Sequence, residues 1–564
     1  MAKSMDIPPR LGRSLSAHTA AYSSPASSFP SRGGFFRAHS AQDEYSILQD
    51  SGHKVYSESS TEPLLQQYWK GDSFSRPNGR EVHGEEAVLQ LKHAPLRRFS
   101  LSQEVVRQCW IAVPMICVNL LQYSITVLSV MFVGHLGELE LASASIANSL
   151  AGVLGYYVLL GMGSALETLC GQAYGAAQYH MLGVYLQRAL LVLFLTCLPL
   201  SFVFVYMEDI LVFAGQDAGI ANKAGEYALY LLPSLFGYAL LQPVVKFLQT
   251  QSVVIPMLIC SATTLASHVG ILYTFIYTLG WGFCGAAMAT SVSFWINPIL
   301  LILYVKVSGV CEETWKSFTG DAFVDIYEFL KLAVPSCVMI CLEYWCFEIL
   351  VMASGLLPNP QLELSALSVC LSTITLNYMI PFGLSAAAST RVSNELGAGN
   401  ANAAKYAVYV VLSMSAFQAT IVGTVLVALR FHWGWLYSNE AEVVHYVGTI
   451  MPFLACIALF DGIQGVLSGV ARGCGRQELG AWVNLCTFYI IGVPTALVLA
   501  FHFQMGGRGL FTGLLCGLGT QMLTLSIVTL RTDWDKQVQI ATSRVLHDEH
   551  EILEGLEKTP NGIM

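Results

Sequence analysis

Residues 107–132 read RQCWIAVPMICVNLLQYSITVLSVMF, and after Arg107 at the edge no position in the run is charged. About 20 residues at 1.5 Å each cover the roughly 30 Å hydrocarbon layer of a bilayer, so a run of this length is a membrane-spanning helix. Comparable stretches recur near 144–168, 184–206, 225–247, 254–279, 283–307, 331–356, 364–388, 404–429, 446–471, 480–503 and 508–530, which makes twelve expected spans. Their unbroken hydrophobicity is unlike the alternating pattern of a membrane β-barrel. Charge agrees with this. Only 12% of the 564 residues are Asp, Glu, Lys or Arg, against roughly 25% in soluble domains. Half of those charges lie outside residues 107–530. A soluble enzyme, a nucleic-acid binder and a disulfide scaffold are excluded, and the expected fold class is an all-α polytopic membrane protein.

Residues 1–106 are rich in Ser, Gly, Pro and Arg and lack the apolar core of a secretory signal. They read as a disordered cytoplasmic tail. Residues 1–42, with Asp6 as their one acid, also have the composition of a transit peptide, and DEYSIL (43–48) and TEPLL (61–65) have the form of acidic leucine sorting signals. Lys and Arg mark the cytoplasmic loops of membrane proteins. With the N-terminus inside, the inner loops and helix ends hold nine such residues, Arg391 and Arg476 among them, and the outer ones hold Lys223, Arg430 and Arg508. Twelve spans then return the C-terminus, with a second tail at 531–564, to the cytoplasm. The fifteen cysteines form no CxxC pair and sit mostly within apolar runs, as packing residues do.

The first run has a counterpart. Ala112, Val113 and Pro114 match Ala333, Val334 and Pro335 at an offset of 221, as do Tyr123 with Tyr344 and Gly134 with Gly355. LELASASIA (139–147) answers LELSALSVC (362–370), and Gly161, Thr168 and Gly175 answer Gly383, Thr390 and Gly397. Pro233 and Leu248 answer Pro452 and Leu467 further on. The membrane section is therefore two copies of one six-helix unit, helices 1–6 over 107–310 and helices 7–12 over 311–530. An even number of spans gives both copies the same orientation, related by an axis along the membrane normal. Two such bundles enclose a midplane cleft that rocking can expose to either side, the architecture of alternating access.

Five acids fall within the spans: Glu167, Glu226, Glu343, Glu348 and Asp461. Facing lipid, each would cost about 3 kcal/mol on insertion scales, so they face protein or water. Glu226 lies at a wetted helix end, and Glu167 follows a Gly-rich stretch where packing and function are equal alternatives. Glu343 aligns with Gln122 and Asp461 with Gln242, so the second copy carries a carboxylate where the first carries an amide. That difference favours a proton or cation site over a structural hydrogen-bond partner. Glu348 is five residues beyond Glu343, about 140° around the helix, and its counterpart is Val127. A buried carboxylate favours its neutral form and a neighbouring cation favours the ionised one, so the two compete for the same oxygens. Tyr344, Trp345 and Phe460 flank these acids and are able to stack on a planar or cationic solute. Together with Gln122, Gln242 and Asn377 they are the cavity candidates, although large aromatics on membrane helices are more often packing or lipid-facing. Pro114 and Pro335 free a backbone carbonyl near the start of the first and seventh spans, where a kink suits a gate or simple helix-start packing.

VLLGMGSALETLCGQAYGA (158–176), MLGVYLQRA (181–189), LEYWCFEILVMASGLLPNP (342–360), GLSAAASTRVSNELGAGN (383–400) and DGIQGVLSGVARGCG (461–475) together resemble plant multidrug and toxic compound extrusion (MATE) transporters of the detoxification-efflux type. The likeness runs over about residues 105–535. It implies two six-helix lobes around a central cavity and proton-coupled export of organic compounds, with the acids at Glu343, Glu348 and Asp461 in proton coupling and substrate binding. It implies secondary metabolites or xenobiotics as substrates, protons as coupling ion, and the plasma or vacuolar membrane as location. The tail before the first helix is longer than in many members. A phosphate-binding GxxxxGK[ST] loop is missing, which argues against a primary pump, and neither HExxH nor GxSxG occurs in a plausible context for an enzyme. The expected protein is a monomer with no cofactor, no metal site and no nucleic-acid partner. A lipid or oligosaccharide-lipid flippase on the same architecture, and a substrate-sensing receptor, stand as alternatives.

Overall fold

The computed structural model describes residues 100–315, 320–358, 360–437 and 440–558. Of the tail expected at 1–106, residues 1–99, with the targeting candidates, lie outside them, and residues 101–106 are helical rather than disordered, forming the first turns of the first span. Among the described residues, twelve helices are long and apolar enough to span a bilayer. They are α1 (Leu101–Gly134), α2 (Glu138–Gly175), α3 (Tyr179–Val205), α4 (Ala218–Thr250), α5 (Ile255–Thr278) and α6 (Gly282–Ser308) in the first bundle. The second holds α7 (Ile326–Ser354), α8 (Pro360–Gly397), α9 (Ala401–Ala428), α10 (Ala441–Cys474), α11 (Gln477–His502) and α12 (Gly507–Leu530).

The spans run from 24 to 38 residues, so most project past the hydrocarbon layer. That is why α1 starts at Leu101, before the apolar run, and α7 at Ile326. The extra turns are polar and invisible to hydropathy, yet their backbone bonds are helical. Pro114 and Pro335 lie inside α1 and α7 without ending them. Elsewhere the spans widen into π turns, α2 over Gly152–Tyr156, α5 over Thr274–Thr278, and α11 over Leu485–Gly492 and Val498–His502. Such turns release backbone groups and let a helix change direction.

One apolar core fills the first bundle and continues into the C-terminal halves of α8 and α10, through Leu384, Val392, Leu396, Val466 and Val470. A separate core fills the rest of the second bundle around Leu350, Cys370, Met451, Phe488 and Leu514. The bundles therefore share packing at the end where α1 begins and keep separate cores towards the other. At the shared end α2 and α8 cross closely. A Cβ on Gly175 would collide with the Asn394 carbonyl, and one on its repeat counterpart Gly397 with the Gln172 carbonyl; only glycine admits this approach.

Buried polar bonds close the same end. Glu167 of α2 takes Lys246 Nζ of α4 at 2.5 Å and Arg472 Nε of α10 at 2.9 Å. Arg391 of α8 grips both oxygens of Glu104 on α1 at 3.1 and 3.2 Å. A buried pair of this kind contributes little net stability, but removing one partner costs about 3–5 kcal/mol. Glu167 is thus occupied by structural bonds, whereas Glu226 is exposed at the start of its span, as expected.

Where a cytoplasmic tail is expected at 531–564, the described residues contain a further helix, α13 (Trp534–Lys558). Trp534, Val538, Ala541 and Val545 recur at helical spacing on its inner face and pack against the bundle. Arg544 of α13 donates to Gln172 Oε1 of α2 at 2.6 Å, so this helix, packed on α8 and α9, also reaches the first bundle.

Candidate functional site

α7 and α10 face each other within the second bundle and bring Glu343 and Asp461 to one point. Both are buried, 7% and 1% exposed. One side-chain amide joins them: Gln464 Nε2 donates to Glu343 Oε1 at 3.0 Å and to Asp461 Oδ1 at 2.9 Å. Gln464 lies three residues beyond Asp461, so both project from the same side of α10. The Tyr378 hydroxyl of α8 approaches Glu343 Oε1 at 3.4 Å, long for a hydrogen bond. Asp461 Oδ2 is buried and has no hydrogen-bond partner among the described residues. Two carboxylates thus share a single amide in a low-dielectric interior, with one acceptor oxygen left over.

A polar stripe continues from the pair along α10. Ser468 Oγ donates to Gln464 Oε1 at 3.3 Å, and Arg472, one turn on, donates to Ser385 Oγ at 2.8 Å and reaches Glu167. Positions 461, 464, 468 and 472 are spaced three, four and four apart, a single helical face. The acid pair is therefore connected along α10 to the ion pairs that join the bundles.

Of the other expected residues, Tyr344 lies within electrostatic reach of both acids and the rest lie elsewhere. Tyr344 stacks on Tyr157 of α2, ring centroids 3.8 Å apart and planes at 13°. Trp345 Nε1 donates to the Val153 carbonyl of α2 at 3.0 Å, and Glu348 accepts from Ser149 of α2. These three fasten α7 to α2 across the bundles, and Glu348 is turned away from the Glu343–Asp461 pair as the helix rotation requires. Phe460 packs over Gly519 of α12, where a Cβ would lie 3.2 Å from its ring. Asn377 accepts from Gln418 of α9 at 3.3 Å, among Ile374, Leu454 and Ala458. Gln242 is buried against Gly163 of α2, and Gln122 is half-buried on α1. Gln464 and Tyr378 were not among the sequence candidates. The signal for Gln464 was its place one turn from Asp461 on a face with Ser468 and Arg472; Tyr378 had none, because its approach to Glu343 depends on how α8 packs.

The family described as MatE matches residues 114–276 and again residues 335–498. The two matches begin 221 positions apart, the offset of the internal repeat. Among curated proteins of Arabidopsis thaliana, Protein DETOXIFICATION 16 is 52% identical over 446 residues, covering 79% of this chain and 92% of that one. Protein DETOXIFICATION 14 is 46% identical over 456 residues, covering 81% and 94%. Among solved structures, the eukaryotic MATE transporter AtDTX14 superposes with a TM-score of 0.76 at 46% identity, over 79% of this chain and 99% of that one. A MATE protein in the bent conformation, 15% identical, shares the fold with a TM-score of 0.69 over 81% and 99%.

Proposed function

We propose, from the premise that this chain belongs to the MATE family of membrane transporters, that it exports organic solutes by exchanging them for protons, with Glu343 and Asp461 as the exchange site. The observation carrying this is the shared amide. With both carboxylates ionised, Gln464 holds two like charges together in a buried site. One proton on the pair relieves the repulsion, and the unpartnered Asp461 Oδ2 is where a proton or a cationic substrate group finds an acceptor. Proton and cationic solute then compete for one set of oxygens, which is what antiport needs. The first bundle, with Gln242 and Gln122 at the equivalent positions, carries no such competition. Both termini are assigned to the cytoplasm of a plasma or vacuolar membrane, which makes the bonded end of the bundles the cytoplasmic one. Secondary metabolites or xenobiotics with an apolar body and a basic group suit the site best.

The polar stripe suggests how the site communicates with the gate. A change of charge at Glu343 and Asp461 alters the hold of Gln464, which borders Ser468 and, one turn further, Arg472 on Glu167. The test is Glu343→Gln in sealed vesicles. This variant is expected to fold and insert normally but to lose uphill export under an imposed pH gradient. Full activity would remove Glu343 from the exchange site and leave family membership untouched.

A further inference from the structure

We propose that the crevice between the end of α12 and the start of α13 binds the phosphate headgroup of an anionic membrane lipid. The crevice is a cavity of about 450 Å³ lined by Arg476, Arg531 and Lys536 with Asp533, Ile527 and Ile540. The chain brings the three cations together from two different turns, Arg476 from the α10–α11 connection and the other two from the α12–α13 corner. Among the described residues none of the three has a carboxylate in ion-pair range. The acid in the lining, Asp533, is already engaged: its Oδ1 accepts from the Lys536 backbone N–H at 3.1 Å, capping the first turn of α13. Arg476 is held in place by a bond to Thr532 Oγ1 at 2.9 Å, which leaves the remaining guanidinium donors for a ligand.

The apolar part of the lining selects a lipid over a free anion. Ile527 is 50% exposed and Ile540 is 37% exposed, and they stand beside the cations at the end of a spanning helix, where acyl chains give way to headgroups. The cations and the exposed isoleucines beside them match the two parts of a phospholipid, and basic pockets at the cytoplasmic ends of spanning helices are the usual seat of anionic headgroups. Occupancy would fasten the first turn of α13 to the membrane surface. The same helix reaches across to Gln172 of the first bundle through Arg544, so the lipid would seat a strap that joins both bundles. The site depends only on this end of the bundle lying at a membrane surface, and not on what is transported or on proton coupling.

The test uses the full-length protein purified in detergent, with retention of phosphatidic acid against phosphatidylcholine measured by native mass spectrometry. Arg531 and Lys536 are both exposed, so Arg531→Gln/Lys536→Gln leaves the core intact. Wild type is expected to prefer phosphatidic acid, and the double variant to lose at least about tenfold of that preference, since each basic residue near an anionic surface contributes severalfold. Arg531→Lys/Lys536→Arg is expected to keep the preference, and inorganic phosphate to leave it undisturbed. Equal preference in wild type and the Gln variant would overturn the site. Loss of preference in the charge-conserving variant equal to that in the Gln variant, or full displacement by inorganic phosphate, would overturn it as a lipid site.

Discussion

Gln464 decides what Glu343 and Asp461 are able to do, because an amide nitrogen that serves two carboxylates makes each sensitive to the charge of the other. Replacing Asp461 by Asn keeps a group that can accept from Gln464 and removes one charge. The expected result is a substrate affinity whose pH dependence is flattened relative to wild type; an unchanged profile would make Asp461 a structural partner. Gln464→Ala should act differently. It strips a shared donor from two buried acceptors, each worth about 1–3 kcal/mol, so both thermal stability in detergent and the pH profile are expected to change. Glu343 and Asp461 were legible in the sequence because charge is scarce in the spans and the repeat supplies an uncharged comparison at Gln122 and Gln242. Gln464 was legible only as part of the α10 face with Asp461, Ser468 and Arg472, since an amide there carries no sign that it bridges two helices. Tyr344, Trp345 and Glu348 show the converse: their chemistry marked them, but their contacts lie on α2, and only the packing of α7 reveals that.

At the level of elements, α2, α8, α10 and α13 form the joint between the bundles. The Glu167–Arg472 pair lies between α2 and α10, buried at 1% and 7% of side-chain exposure, and Arg391–Glu104 lies between α8 and α1. Arg472→Ala leaves Glu167 with Lys246 alone and costs about 3–5 kcal/mol at this contact. The expected consequence is a population opened at that end, read as longer distances between spin labels placed at the exposed positions His180 of α3 and Asn402 of α9. Unchanged distances would mean that the glycine crossing at Gly175 and Gly397, with Arg391–Glu104 and Arg544–Gln172, holds the joint without Arg472. The spans were legible from hydropathy because their composition is set by the lipid. α13 was not: its charged outer face lowers the mean hydropathy of the segment, and its apolar stripe, Trp534, Val538, Ala541 and Val545, stands out only when read at helical spacing. The π turns of α2 and α11 were hidden too, since no proline marks the turns at Gly152–Tyr156 and Val498–His502.

For the whole molecule, the asymmetry between two copies of one fold is what makes directional exchange testable. If Glu343 and Asp461 share one proton through Gln464, each cycle moves one proton against one solute. One pH unit is worth about 1.4 kcal/mol per proton, which sustains about a tenfold solute gradient. In proteoliposomes clamped at zero membrane potential, the steady-state accumulation ratio is therefore expected to rise about tenfold per unit of imposed pH difference and to reverse when that difference is reversed. A hundredfold rise would assign two protons, one to each carboxylate. A ratio that stays at one whatever the gradient would contradict proton antiport and favour a passive pathway or a flippase acting on lipid alone. Glu343→Gln, with one titratable group gone from the pair, should bring the ratio to one while leaving the repeat fold and the bonded end of the bundles as they are.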